Sequence, residues 1–103
     1  LVMYPSTVND PALTDKMVPS LIRAAGKEKV VITQPVTMAE DFSFYQEKVP
    51  GLFFFLGAMP KGQDPLKAPS HHTPDFFIDE SSFNLGVKAL CNLTLDYMGM
   101  KKK

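Results

Sequence analysis

His71 and His72 are the only imidazoles in this 103-residue chain. Imidazole is the side chain best suited to hold a divalent cation or move a proton near neutral pH. Successive side chains diverge, so at most one of the pair can reach a given ion. Pro74 confines Thr73 to extended angles and stiffens the backbone just past His72, which suits a ligand. A histidine pair in a loop is, taken alone, more often a solvated surface feature. The second candidate group is Glu40-Asp41. Two carboxylates in a first helical turn complement the positive end of the helix dipole. They can also line a pocket, and the residues alone leave both roles open.

The elements that must position these groups follow from apolar spacing and punctuation. Leu1 to Tyr4 is a short β-prone run that meets Pro5, which cannot donate to a sheet ladder. Asn9-Asp10-Pro11 is a helix start, with Asn9 or Asp10 as cap and Pro11 in the first turn. Leu13, Met17, Val18, Leu21 and Ile22 share one face of the predicted helix. Pro19 predicts a kink or a break into two short helices, and Gly26 predicts the end. Val30-Val31-Ile32 reads as a strand covered on both faces. Thr37-Met38-Ala39-Glu40 fits a capping box, so a helix is expected from about Met38 to Lys48, with Phe42, Tyr45 and Val49 inward. After Pro50-Gly51, Leu52 to Leu56 reads as the central strand. Gly57 to Pro74 holds four prolines and two glycines, which predicts a long loop, and loops of that length are usually functional or disordered. Asp79 then caps a last helix to about Met98, with Phe83, Val87, Leu90 and Cys91 buried and Gly99 ending it.

Strands separated by helices predict parallel pairing with helices on the sheet faces. Ligands bind beyond the carboxyl ends of such strands. The Gln34–Met38 turn and the long loop are therefore expected to face one crevice.

Composition narrows the function classes. Apolar residues make up 45% of the chain and charged residues 21%, a core-forming profile. Eleven basic residues balance eleven acidic ones, so nucleic-acid binding through phosphates is not expected. One cysteine excludes an internal disulfide and a cysteine-rich metal site. No apolar run approaches the roughly 20 residues of a membrane helix, and no signal peptide is visible. Asn92-Leu93-Thr94 matches a glycosylation sequence but falls inside a packed helix, where it reads as accidental. Lys101 to Lys103 suit a helix C-terminus and are too few for a membrane or nucleic-acid contact.

Several motifs in order carry a family resemblance: Tyr4-Pro5-Ser6-Thr7-Val8-Asn9-Asp10, Met38-Ala39-Glu40-Asp41-Phe42, Pro50-Gly51 before a strand ending Leu56-Gly57, and His72-Thr73-Pro74-Asp75-Phe76 with Asp79-Glu80 after it. The chain resembles the closing third of metal-dependent N-acyl-amino-acid amidohydrolases. These include the hippurate and indole-acetyl-amino-acid hydrolases of the aminoacylase and carboxypeptidase superfamily. The resemblance implies an α/β chain forming the C-terminal part of a zinc-exopeptidase-like three-layer catalytic domain, incomplete on its own. Residues 1–9 would be the last strand of a lid or dimerisation domain with its return linker, and residues 10–103 the end of the catalytic domain.

It further implies His72 as a metal ligand, with His71 outside the ligand position, and Glu40 and Asp41 in the substrate pocket. Met38-Ala39 stands where the family often has two small residues. The implied cofactor is a divalent metal, Zn with Mn or Co as alternatives, two ions in the complete enzyme and none held by this stretch. Its implied substrate is an N-acyl amino acid or small peptide, with homo-oligomerisation and a cytoplasmic location. No general base falls within these residues, so no catalytic residue is assigned and no activity is expected from the chain alone. Two alternatives stand beside this: a non-catalytic α/β binding or dimerisation module, and a small self-sufficient hydrolase using His71 or His72 with Asp41.

Overall fold

A computed structural model describes residues 3–35, 39–59, 62, 64, 66–67, 73–75 and 77–100. Helix α1, Pro11–Ala25, starts where the sequence places it. Asp10 Oδ1 accepts from the Leu13 N–H at 2.8 Å, and Pro11 occupies the first turn. Of the two candidate caps, Asp10 does the capping. The helix runs through Pro19 without dividing, contrary to expectation. Proline removes the N–H that would bind the Asp15 carbonyl, but both residues face solvent, where water can take its place. Gly26 ends the helix at φ 94°, its N–H bonded to the Ile22 carbonyl at 2.7 Å. A 3₁₀ turn, Lys27–Lys29, follows.

Helix α2, Phe42–Gln46, is shorter than expected and begins four residues later. Thr37 and Met38 lie outside the described residues. Glu40 turns its own groups to the helix start: its carbonyl accepts from the Ser43 N–H at 3.1 Å and the Ser43 hydroxyl at 2.6 Å. Ser43 is therefore the buried residue of α2, whereas Tyr45 and Val49, expected inside, are exposed. Phe42 packs against Phe53, ring centroids 5.7 Å apart, and Phe53 meets Phe55 edge-on at 5.5 Å.

A 3₁₀ turn, Glu80–Ser82, leads into helix α3, Phe83–Gly99, and Asp79 caps the turn through the Ser81 N–H. Helices α1 and α3 pack together around Met17, Leu21 and Ala89, the buried apolar core of the described residues. Burying a side chain such as Met17 or Leu21 is worth about 1.5–3 kcal/mol. The pair is pinned at one point. Arg23 grips Asp96 with two bonds of 2.8 and 3.0 Å, and the buried Ser20 hydroxyl donates to the same carboxylate at 2.5 Å.

The expected inner face of α3 is corrected. Phe83, Val87, Leu90 and Cys91 are exposed, and Ala89 is the residue turned to α1. Because α3 is apolar on two sides, the sequence alone did not say which one α1 would cover. On the covered side Gly86 lets Leu56 approach closely: a Cβ there would stand 2.9 Å from Leu56 Cδ2.

Among the described residues no β-ladder forms at 30–32 or 52–56. The backbone of 51–58 is bonded instead by Asn9, Asp10, Asp79 and Ser82. A ladder needs neighbouring strands, and among the described residues neither segment has one. The 103 residues expose 8908 Å², against roughly 5,800 Å² for a folded monomer of this mass. Ile32 and Leu66 are almost fully exposed. No described helix is long and apolar enough to cross a membrane.

Candidate functional site

Glu40 and Asp41 sit where the chain enters α2, at the positive end of a short helix. Asp41 is its N-cap in helical geometry, makes no side-chain capping bond and is exposed. Glu40 Oε1 lies 3.4 Å from the Phe42 N–H, a long contact that weakly orients the half-buried side chain. The Thr37 half of the expected capping box lies outside the described residues, and Glu40 serves Phe42 and Ser43 through its carboxylate and its backbone carbonyl.

Tyr4 packs on α2: its ring is tilted against Phe44, centroids 5.5 Å apart. The nearby Asp41 carboxylate, with smaller parts from desolvation and the Glu40 charge, raises the Tyr4 phenol above its ordinary pKa. By sequence Tyr4 is expected only as a strand residue, with no role at the site.

At the other end of α2 a second set of bonds fixes the same N-terminal segment. Asn9 pairs with one peptide unit: the Phe53 N–H donates to Oδ1 at 2.7 Å, and Nδ2 donates to the Phe53 carbonyl at 2.8 Å. Gln46 Oε1 accepts from the Val8 N–H at 3.1 Å, while Nε2 lies 3.3 Å from Asn9 Oδ1 and 3.4 Å from the Gly51 carbonyl. Asp10 N–H completes the set on the Gly51 carbonyl at 3.0 Å. Gly51 is required for this closeness, since a Cβ would fall 2.7 Å from Gln46 Cγ. Asn9 was expected only as an alternative helix cap. The available signal was that Asn9 and Asp10 are adjacent and one cap suffices, which leaves the other free.

His71 and His72, and residues 36–38 of the turn expected opposite them, lie outside the described residues. The convergence of the two loops is therefore not described. Among the described residues no group of three or more histidine, cysteine, aspartate or glutamate side chains is placed to hold a metal ion. Cys91, expected as a small buried hydrophobe, is an exposed free thiol. Asn92 keeps its side-chain nitrogen buried, in keeping with the reading of its glycosylation sequence as accidental.

The order of motifs resembles an amidohydrolase, and comparison with known proteins agrees. Residues 1–96 match Peptidase family M20/M25/M40, and the chain belongs to that family. It is 36% identical over 94 residues to YhaA of Bacillus subtilis, which bears the name of an amidohydrolase; the match covers 91% of the chain and 23% of YhaA. It is 35% identical over 95 residues to the IAA-amino acid hydrolase ILR1-like 5 of Arabidopsis thaliana, covering 92% and 21%. Thermostable carboxypeptidase 2 of Saccharolobus solfataricus is 36% identical over 95 residues, covering 92% and 23%. The chain thus spans between a fifth and a quarter of the length of these relatives. No solved structure matches. Membership carries with it a peptidase-like α/β domain, of which the described residues display the helices.

Proposed function

We propose that this chain is the closing part of the catalytic domain of an amidohydrolase that cleaves the amide bond of N-acyl amino acids or related small peptides. Residues 1–9 return the chain from a lid domain, and 10–103 finish the catalytic domain. In that setting 30–32 and 52–56 pair with strands encoded elsewhere into a mostly parallel sheet between helix layers. His72 supplies one ligand to a divalent metal, zinc in the first instance, and Glu40 and Asp41 line the substrate pocket.

The match of 96 residues to the family, at about a fifth of its members' length, carries this reading. The exposed apolar surface at Val31, Ile32 and Phe55 supports it, because those positions suit a sheet with partners. The described residues do not assemble a metal centre of their own, so the chemistry assigned to them is binding and orientation. A carboxylate pair at the N-terminus of α2 can orient the amide or amine of a substrate by accepting its hydrogen bonds.

The chain by itself is then inactive. Purified and supplied with Zn²⁺, Mn²⁺ or Co²⁺, it is expected to release no amino acid from N-benzoyl, N-acetyl or indole-acetyl substrates. Metal-dependent turnover by the 103 residues would refute the assignment and favour a self-sufficient hydrolase. In a longer polypeptide carrying the chain, His72→Ala should lower both metal content and turnover. Unchanged metal content would remove His72 from the ligand set.

A further inference from the structure

Among the described residues, segment 51–57 is hydrogen-bonded along one edge. In an extended run the N–H and C=O of one residue point to the same edge, and those of the next residue to the opposite edge. The Phe53 and Phe55 rings meet at 5.5 Å, as side chains two residues apart do on one face of such a run. Gly51, Phe53 and Gly57 then share an edge, and all three are bonded. The Gly51 carbonyl accepts from the Asp10 N–H at 3.0 Å, and the Gly57 carbonyl from the Ser82 hydroxyl at 2.9 Å. Between them the Asn9 carboxamide gives Phe53 one acceptor at 2.7 Å and one donor at 2.8 Å, the two groups that the backbone of a neighbouring strand would supply. On the opposite edge Leu52, Phe54 and Leu56 make no hydrogen bond among the described residues.

We propose that Asn9, Asp10 and Ser82 close one edge of this segment, and that its open edge, at Leu52, Phe54 and Leu56, takes a strand from the remainder of a longer polypeptide. This rests on the reading of the chain as the closing part of a catalytic domain. An unpaired edge is a template for extended backbone, and a strand added there satisfies the main-chain groups directly. On the closed edge only Phe55 lies between the bonds of Asn9 and Ser82, too short a gap to receive a strand. Segment 52–56 therefore ends the sheet on that side and is not its central strand. Phe55 and Leu56 are 55% and 39% exposed, so the incoming strand is one with apolar side chains. The match covers 23% of YhaA, which leaves most of a relative's chain to supply it.

Amide hydrogen exchange in the chain and in a longer polypeptide carrying it tests both edges. In the chain, the Leu52, Phe54 and Leu56 amides should exchange as unprotected amides. In the longer polypeptide they should exchange at least about a hundred-fold more slowly. The Phe53 amide should be protected in both, and Asn9→Ala should release it in both while the amides inside α1 stay as they were. Fast exchange of Phe54 in the longer polypeptide would overturn the open edge. Phe53 protection that survives Asn9→Ala there would overturn the closed edge, because a second strand would be holding it. Protection of Phe54 in the chain alone would give the edge to residues 30–32 or to a second copy, and would overturn the proposal as well. None of these readouts depends on turnover, so absence of hydrolysis by the longer polypeptide would refute the amidohydrolase reading without touching the edges.

Discussion

Replacing Asn9 by alanine isolates one bond set with a single chemical cause. The wild-type side chain satisfies the N–H and the C=O of Phe53 at 2.7 and 2.8 Å and touches Gln46 at 3.3 Å. The alanine variant leaves both Phe53 groups without a partner in a half-buried position. A typical hydrogen bond contributes about 0.5–1.5 kcal/mol net, and a stranded buried group costs about 1–3 kcal/mol. Two such groups, partly reached by water, give a loss of about 2 kcal/mol, or roughly thirty-fold in a local equilibrium. Amide hydrogen exchange reads this at the affected atom: the Phe53 amide should exchange roughly thirty-fold faster in Asn9→Ala. The amides inside α1, which Asn9 does not touch, should change little. Equal Phe53 exchange in the two proteins would refute the idea that Asn9 holds this segment. A uniform rise at every amide would show that the loss is global and not local.

Other expectations follow from the helices. Asp10→Ala should cost about 1 kcal/mol by removing the α1 cap, seen as a lower denaturation midpoint. Asp96 is held below the usual carboxylate range, first by Arg23 and then by the Ser20 hydroxyl. Its stabilising contribution is therefore complete above about pH 4, the ordinary aspartate value, and is lost as pH falls through the lower folded-state value. Arg23→Ala should move the Asp96 carboxyl titration back toward that ordinary value in a carbon-detected NMR titration; an unmoved curve would deny the pairing. Leu90→Lys, on the open side of α3 where Leu90 is 59% exposed, should change stability by less than about 0.5 kcal/mol while lowering self-association in light scattering. A large loss of stability would mean that this face is covered.

Both long helices were legible because their signals are local. Asp10-Pro11 and Asp79 act within a turn of where they stand, and Gly26 adopts the positive φ that its type invites. The side of α3 that α1 covers was not legible. Phe83, Val87 and Leu90 are as apolar as the covered residues, and the choice depends on Ala89 and Asp96, whose small size or charge matters only once α1 is beside them, and on Gly86, whose missing side chain matters only once Leu56 is. The start of α2 was misplaced because the Thr37–Glu40 pattern suggested a reciprocal cap, whereas Glu40 serves Phe42 and Ser43. The segments 30–32 and 52–56 are apolar enough to suggest strands, but pairing is a property of two segments and cannot be read from one. At the candidate site, Glu40 and Asp41 were found by type. Tyr4 and Asn9 were not, because their partners Phe44 and Phe53 lie 40 and 44 residues away in the chain.

The clasp between Arg23, Ser20 and Asp96 joins residues 73 and 76 positions apart. Closing a loop of that length carries an entropic cost that must be met before any contact rewards it. At a synthesis rate of about 5–20 residues per second, α1 leaves the ribosome roughly 4–15 s before its partner helix exists. Throughout that interval Met17 and Leu21 lack the α3 surface that covers them in the folded chain. Order of translation, and not stability alone, then decides when this pair of helices can first assemble.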